Sequence, residues 1–246
     1  MNNEQKIENG IIFLSEPSEC FMADAWYEMA TADHFWVKWR HDIFRKLVPQ
    51  EYLSEPILEV GCGVSVARKM IEDEFACTVD GCDLNLVALK EGLPVKGRAY
   101  FYNIHDRNEE FYEKFSTIIL LDVLEHIADP VLFLESICFH LKPGGNLIIN
   151  VPAFQVFYSR YEVVAGHVRR YNRRSLINEL IQAGLIIQDS SYWGMSLTPI
   201  LLLRKLVVLF LKKEKVIQMG FNPGAKIVDV FFQGLRAFEI GVFSRA

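Results

Sequence analysis

Four groups of residues in this chain have the types and spacing to do chemistry. Glu59-Val60-Gly61-Cys62-Gly63 closes a short apolar run with two glycines one residue apart. Glycine takes positive φ and lets a backbone come close to a ligand. Asp83 lies 22 residues beyond Gly61, at the end of a second apolar run. At that spacing a carboxylate can accept bonds from both hydroxyls of a ribose. Asp122, Glu125 and His126 stand together just after a third apolar run, and His167 follows in a stretch rich in aromatic and basic residues. Imidazoles beside carboxylates can move a proton near neutral pH or hold a divalent ion.

Positioning these groups requires a particular set of elements. Pro56 to Val60 reads as a strand, Val66 to Phe75 as a helix, and Ala76 to Cys82 as a second strand closed by Asp83. A strand, a glycine turn and a helix make a nucleotide-cradling corner, because the helix N-terminus offers free N–H groups. Either a dinucleotide or S-adenosylmethionine fits such a corner. A dinucleotide site wants a third glycine at position 66, where this chain has Val. Glu59 has no use beside a pyrophosphate, but it suits the ammonium of an amino-acid ligand.

The pattern continues in alternation. Asn85 to Gly92 reads as a helix, Ala99 to Tyr102 as a third strand, and Phe115 to Leu121 as a central strand covered on both faces. Pro130 opens a helix reaching about Leu141. Lys142-Pro143-Gly144-Gly145 is a turn, and Asn146 to Val151 a fifth strand. Arg173 to Ala183 is a helix, and Leu185 to Tyr192 a sixth strand. Such alternation predicts an α/β fold: a Rossmann-like, doubly wound, mostly parallel sheet with right-handed crossovers. Before it, Met1 to Asn9 reads as a frayed tail, Gly10 to Leu14 as a short extended piece, and Asp24 to Leu47 as aromatic-rich helix. After it come an apolar stretch, Leu197 to Leu211, and an amphipathic helix, Ile227 to Phe238. Only Ile240 to Ser244 is left for a last strand. The expected organisation is a helical cap over 1–50, the core over 51–193, and a helical extension over 194–246.

Four motifs in order carry a resemblance: Glu59-Val-Gly-Cys-Gly63, Gly81-Cys-Asp-Leu-Asn85, Leu121-Asp-Val-Leu-Glu-His126 and Leu141-Lys-Pro-Gly-Gly145. The chain resembles the class I S-adenosylmethionine-dependent methyltransferases, and Gly166-His-Val-Arg-Arg-Tyr171 is similar to a segment of bacterial members associated with glycan or lipid pathways. The resemblance implies S-adenosylmethionine as cofactor. It places Glu59, Gly61, Cys62, Gly63, Asp83 and Leu84 along that ligand, Asn103 and Ile104 at the adenine, and Leu121, Asp122 and Val123 at the end of the fourth strand. Members commonly have Asp where Asn103 stands. The helical segment before the core resembles a lid, with Arg40, or its rival Arg45, gripping the methionine carboxylate.

Methyl transfer is an in-line displacement that rewards alignment, and an oxygen acceptor benefits from a base. His167 and His126 are the candidate bases, with Glu125 beside them; His105 and His140 fall away from this mouth and read as surface residues. The alternative for His126 is a structural bond bracing its loop. Asp122, Glu125, His126 and His167 also resemble the divalent metal site of small-RNA 2′-O-methyltransferases and ubiquinone-pathway O-methyltransferases. The expected reaction is O-methylation of a sugar, glycolipid or small hydroxylated metabolite. N- or C-methylation, or a non-catalytic cofactor-binding partner of a biosynthetic complex, are the alternatives.

A formal net charge of −5 argues against a general nucleic-acid binder. Five cysteines without a CxxC, behind a polar N-terminus, read as reduced thiols in a cytoplasmic protein. Leu197 to Leu211 is too short to span a bilayer. It could instead be buried, contact a second copy in a homodimer, or lie peripherally on the inner membrane face beside a lipid-linked acceptor.

Overall fold

The apolar runs pair into one sheet of seven strands in a computed structural model that describes residues 6–16, 31–208 and 226–243. In chain order its elements are β1 (Lys6–Glu8), β2 (Ile11–Phe13), α1 (Phe35–Leu47), β3 (Ile57–Val60), α2 (Val66–Phe75), β4 (Val79–Asp83), α3 (Leu86–Lys90) and β5 (Ala99–Phe101). Then follow β6 (Phe115–Leu121), α4 (Pro130–His140), β7 (Leu141–Asn150), α5 (Arg160–Ala165), α6 (Arg173–Gln182), α7 (Thr198–Val208) and α8 (Lys226–Phe243). The strand order is β1-β2-β5-β4-β3-β6-β7, and every pairing except β1 with β2 is parallel. β3 is buried at all four residues and β6 at six of its seven, as their unbroken apolar runs require. The doubly wound α/β architecture expected from the alternation is present.

Four expectations change. Residues 6–8 are strand, not tail: Asn9 and Gly10 take φ of 51° and 79°, the backbone of a tight hairpin turn, and β2 then runs parallel to β5. The sheet's antiparallel strand is therefore at its N-terminal edge. Ile240 is not the start of a strand but lies in α8, where Phe232, Leu235 and Ile240 pack on Trp39 and Ile43 of α1; Ser244 lies outside the described residues. The helical spacing of those apolar positions wins over local strand propensity. Leu185 to Tyr192 pairs with no strand among the described residues, and it lines a cavity together with β7. The turn expected at Lys142 to Gly145 is an irregularity within β7, between the Phe115–Leu141 and Thr117–Asn146 pairs.

The N- and C-terminal helices hold each other. Trp39 is fully buried and donates from Nε1 to Glu239 Oε2 at 2.9 Å. Glu239 also accepts from the backbone N–H groups of Gly194 and Met195, and Arg236 Nε donates to Asp42 at 2.6 Å. A buried carboxylate bonded three times positions the Trp193 loop over the carboxyl ends of β6 and β7. There Trp193 stacks on Trp36, with centroids 4.6 Å apart.

Candidate active site

The glycine corner is built almost wholly from backbone. Gly61 has φ +76° and is exposed, and a Cβ there would lie 2.6 Å from Val123 Cγ2. The N–H groups of Gly61 and Cys62 both donate to the Cys82 carbonyl, at 2.8 and 3.1 Å, locking β3 to β4. Gly63 N–H donates to Asp83 Oδ2 at 2.7 Å and Asn85 N–H to Oδ1 at 2.8 Å. Each oxygen of Asp83 thus has one backbone donor and a spare acceptor site. Burial raises the Asp83 carboxyl and those N–H bonds oppose the rise. Cys62 serves this corner through its backbone, and burial pushes its thiol well up. Leu84 packs with Phe13 and Ala99 against buried Leu89 and Phe101.

Glu59 is 2% exposed, and its Oε2 has no hydrogen-bond partner. Burial pushes its carboxyl up to about 7, against the pull of Arg40 and Arg68. A buried acid with a free oxygen beside an open glycine turn fits a cationic ligand. At the far end of the corner, Asn103 Oδ1 accepts from His105 N–H at 3.1 Å and caps a short turn. That leaves the Asn103 amide and the Ile104 backbone to meet a base. Taken together, the ribose acceptor, the close-approach glycine and the orphaned carboxylate fit S-adenosylmethionine.

At the end of β6, Asp122 takes φ 58°, a conformation Asp tolerates better than most residues. Its Oδ2 accepts from Arg40 Nη1 at 2.6 Å and its Oδ1 from Asn150 Nδ2 at 2.5 Å. Asn150 in turn accepts from Trp193 Nε1 at 2.7 Å. Arg40, expected on a lid at the methionine carboxylate, is tied to Asp122 at the carboxyl end of β6. Arg45 instead meets Glu74 of α2 at 3.4 Å. Both oxygens of Asp122 being engaged, it does not join the acid–imidazole cluster beyond it.

That cluster is Glu125, His126 and His167, whose ligand atoms all lie within 4.8 Å of one another. A 3-10 turn over Leu124–His126 carries two of the three. Val168 N–H donates to the Glu125 carbonyl at 2.9 Å and His167 N–H to the Glu162 carbonyl at 2.8 Å, bringing the third alongside. Glu125 is fully buried and neither of its oxygens has a partner. Burial, then the charge of Asp122, pushes its carboxyl well above the usual range. His167 Nε2 stands 4.0 Å from Glu125 Oε1, and its Nδ1 is buried without a partner. Burial and neighbouring His126 lower the His167 imidazole to about 4. His126 Nδ1 lies 3.2 Å from the Gly166 carbonyl, and its ring meets that of His167 edge-on at 4.6 Å. Of the two histidines expected at the surface, His105 is exposed, but His140 is not a surface residue. It is fully buried between the Tyr102 hydroxyl at 2.7 Å and the Ser136 carbonyl at 2.6 Å.

A cavity of about 1070 Å³ opens beside this cluster. Its walls include Asp122, Glu125, His167 and Arg170, the outer edge of β7, the Leu185–Trp193 segment and α7; Gly61 and Asp83 are not among its lining. The cavity therefore lies away from the Gly61 and Asp83 corner. Sequence reasoning missed three residues on its wall, Glu162, Arg170 and Arg204. The available signal was the Arg204-Lys205 pair inside an apolar helix and the Arg169-Arg170 pair just after His167.

Residues 30–189 match the family model of a methyltransferase domain, and the chain belongs to that family. It is 25% identical over 167 residues to a probable S-adenosylmethionine-dependent methyltransferase of Mycolicibacterium smegmatis, covering 64% of this chain and 62% of that protein. It is 30% identical over 122 residues to the human mitochondrial ubiquinone biosynthesis O-methyltransferase, covering 44% of this chain and 33% of that one. To phosphoethanolamine N-methyltransferase 2 of Caenorhabditis elegans it is 28% identical, over 40% of this chain and 24% of the relative. The chain thus spans less than two thirds of these relatives. Among solved structures, phosphoethanolamine N-methyltransferase 2 of Haemonchus contortus in complex with S-adenosyl-L-methionine aligns with TM-score 0.52 at 15% identity, over 85% of this chain and 49% of that one. An O-methyltransferase family protein of Burkholderia thailandensis aligns with TM-score 0.54 at 14% identity, over 69% and 56%. These likenesses are of fold.

Proposed function

We propose that the chain is an S-adenosylmethionine-dependent methyltransferase that methylates a hydroxyl of a sugar, glycolipid or small metabolite. The observation that carries this reading is His167: a buried imidazole with an unpartnered Nδ1, on the wall of a large cavity beside the strand ends. When bound, S-adenosylmethionine supplies a methyl group on a sulfonium, already an excellent leaving group. The chain's residues then hold and align. Asp83 accepts the ribose hydroxyls, Gly61, Cys62 and Gly63 let the ligand approach, and Glu59 faces its ammonium. Arg40 serves its carboxylate, Asn103 and Ile104 its adenine, with Leu84 alongside, and Leu121 to Val123 form the floor. His167, neutral at pH 7, takes the acceptor's proton, the charges of Glu162 and Asp122 favour the resulting imidazolium, and Glu125 stands beside the ring. His126 sets the edge of that ring, and its own imidazole is lowered by burial.

A second reading has its own support. Glu125, His126 and His167 have the geometry to hold a divalent cation that would polarise a hydroxyl; Asp122 does not complete it. Elemental analysis, and turnover before and after chelation, separate this from the base reading. N-methylation and a non-catalytic role in a biosynthetic complex are tested by the same turnover assay.

Supporting contact with a membrane surface or a second copy, α7 exposes Leu202, Leu203, Leu206 and Val207. No helix among the described residues is long and apolar enough to cross a membrane.

S-adenosylhomocysteine should raise the melting temperature by mass action. Asp83→Ala should weaken its binding by about 10- to 100-fold, the worth of hydrogen bonds to a charged acceptor. Binding as tight as the parent's by calorimetry would remove Asp83 from the ribose.

A further inference from the structure

Arg170 stands three residues beyond His167 on the wall of the same cavity, its side chain 9% exposed. Its Nε and Nη1 are buried and make no hydrogen bond. The nearest carboxylate is Glu162, whose Oε1 lies 3.5 Å from Arg170 Nη1. That oxygen is already bonded by Arg204 Nη2 at 3.1 Å, and the other oxygen accepts from Ser159 N–H and Oγ–H at 2.8 and 2.6 Å. One carboxylate therefore faces two guanidinium groups. Among the described residues, no other acid bonds Arg170 Nε or Nη1. Asp122 is paired with Arg40, and neither oxygen of Glu125 makes a hydrogen bond.

A buried cation without a full partner is costly, and the cost is relieved by an anion with matching geometry. Guanidinium groups fit the oxygens of phosphate through paired N–H donors. We propose that Arg170 and Arg204 form a phosphate subsite in the acceptor cavity, so that the acceptor is a phosphorylated hydroxyl compound. The subsite would hold its phosphate while His167 faces its hydroxyl. The role of the acceptor rests on the methyltransferase reading; the binding of phosphate does not.

Inorganic phosphate is the probe, titrated against the full chain at saturating S-adenosylhomocysteine, with ionic strength fixed by chloride. Melting temperature and the ³¹P linewidth are the readouts. Phosphate should stabilise the parent beyond chloride and acetate, and broaden its ³¹P line. Arg170→Gln should weaken the phosphate response at least about fivefold, the loss expected for charge-assisted bonds, and leave S-adenosylhomocysteine affinity within about twofold. Arg170→Lys, which keeps the charge without the fork, should fall between them and serves if the Gln variant does not fold. Lys90→Gln, on the far edge, should respond as the parent. The proposal is overturned if phosphate does no more than chloride or acetate, or if Arg170→Gln and Arg170→Lys respond as the parent. It is equally overturned if Lys90→Gln loses the response. Failure of S-adenosylhomocysteine to stabilise the parent would instead sink the methyltransferase reading.

Discussion

The two sides of the site are built on opposite plans. At the glycine corner nearly every polar group is engaged: Gly61, Cys62, Gly63 and Asn85 donate their backbone N–H groups to Cys82 or Asp83, and only Glu59 keeps an unpartnered oxygen. On the acceptor side the buried polar atoms are largely unpaired: both oxygens of Glu125, Nδ1 of His167, and Nε and Nη1 of Arg170. Buried polar groups in folded proteins are mostly bonded, so a concentration of exceptions marks where a ligand completes the structure. A corner made of backbone suits a ligand whose shape never changes. A pocket made of side chains from β6, the Pro152–Tyr171 segment and α7 suits an acceptor that differs from one enzyme to another.

The contrast predicts which changes act on which side. His167→Gln should reduce turnover by about 10²- to 10⁴-fold, the range for losing a general base, and leave S-adenosylhomocysteine binding intact. In the parent, the His167 imidazole at about 4 is neutral at all pH values above roughly 5, so His167 itself should impose no fall in rate between pH 6 and 8. Its folded pKa lies below the ordinary 6.5, so it contributes stability that is present above 6.5 and lost as pH falls toward 4. The stability difference between parent and His167→Gln should accordingly grow across that window by about 3 kcal/mol, at 1.36 kcal/mol per pKa unit. Denaturant midpoints at pH 4 and 7 measure it, and a constant difference would place His167 in solvent.

Gly61→Ala acts on the other side. Its Cβ must enter a positive-φ backbone and meet Val123 Cγ2 at 2.6 Å. A loss of about 2–4 kcal/mol in stability is expected, combining left-handed strain and overpacking, together with weaker S-adenosylhomocysteine binding. Val123→Ala in the same chain should recover part of the stability by removing the clash, but not the strain. If Val123→Ala restores nothing, the close approach is not what makes glycine necessary.

The smallest effect should come from the exposed face of α7 at the rim of the cavity. Leu203 and Val207 are exposed on α7, so replacing both with Ser should change stability by about 0.5 kcal/mol or less each. The parent should bind anionic vesicles weakly, more so at low salt, and the double variant should not. Unfolding of the variant would show that these residues are core, and indifference of the parent to vesicles would end the membrane idea. The formal charge is consistent with weakness: the chain carries a net −5, so attraction must be local to α7 and the lysines that follow it in sequence.

The sequence by itself determined the α/β alternation, the glycine corner and the place of Asp83, because each depends on contacts within a few residues or on a fixed strand–turn–helix spacing. It also put Asp122 and His167 beyond strand ends, since a parallel sheet delivers every carboxyl end to one side. Only the tertiary structure decided how those residues are used. Arg40 and Asp122 are 82 positions apart yet share a bond, which takes Asp122 out of the imidazole cluster. Glu162, Arg170 and Arg204 come from three separate segments, and no local pattern announces that one carboxylate must serve two guanidinium groups. His140, which reads as surface on its own helix, is buried by Tyr102 from another element. Ile240 joins α8 because Trp39, two hundred positions away, binds Glu239. Local spacing fixes backbone geometry, whereas burial and charge pairing depend on which distant segments the fold packs together.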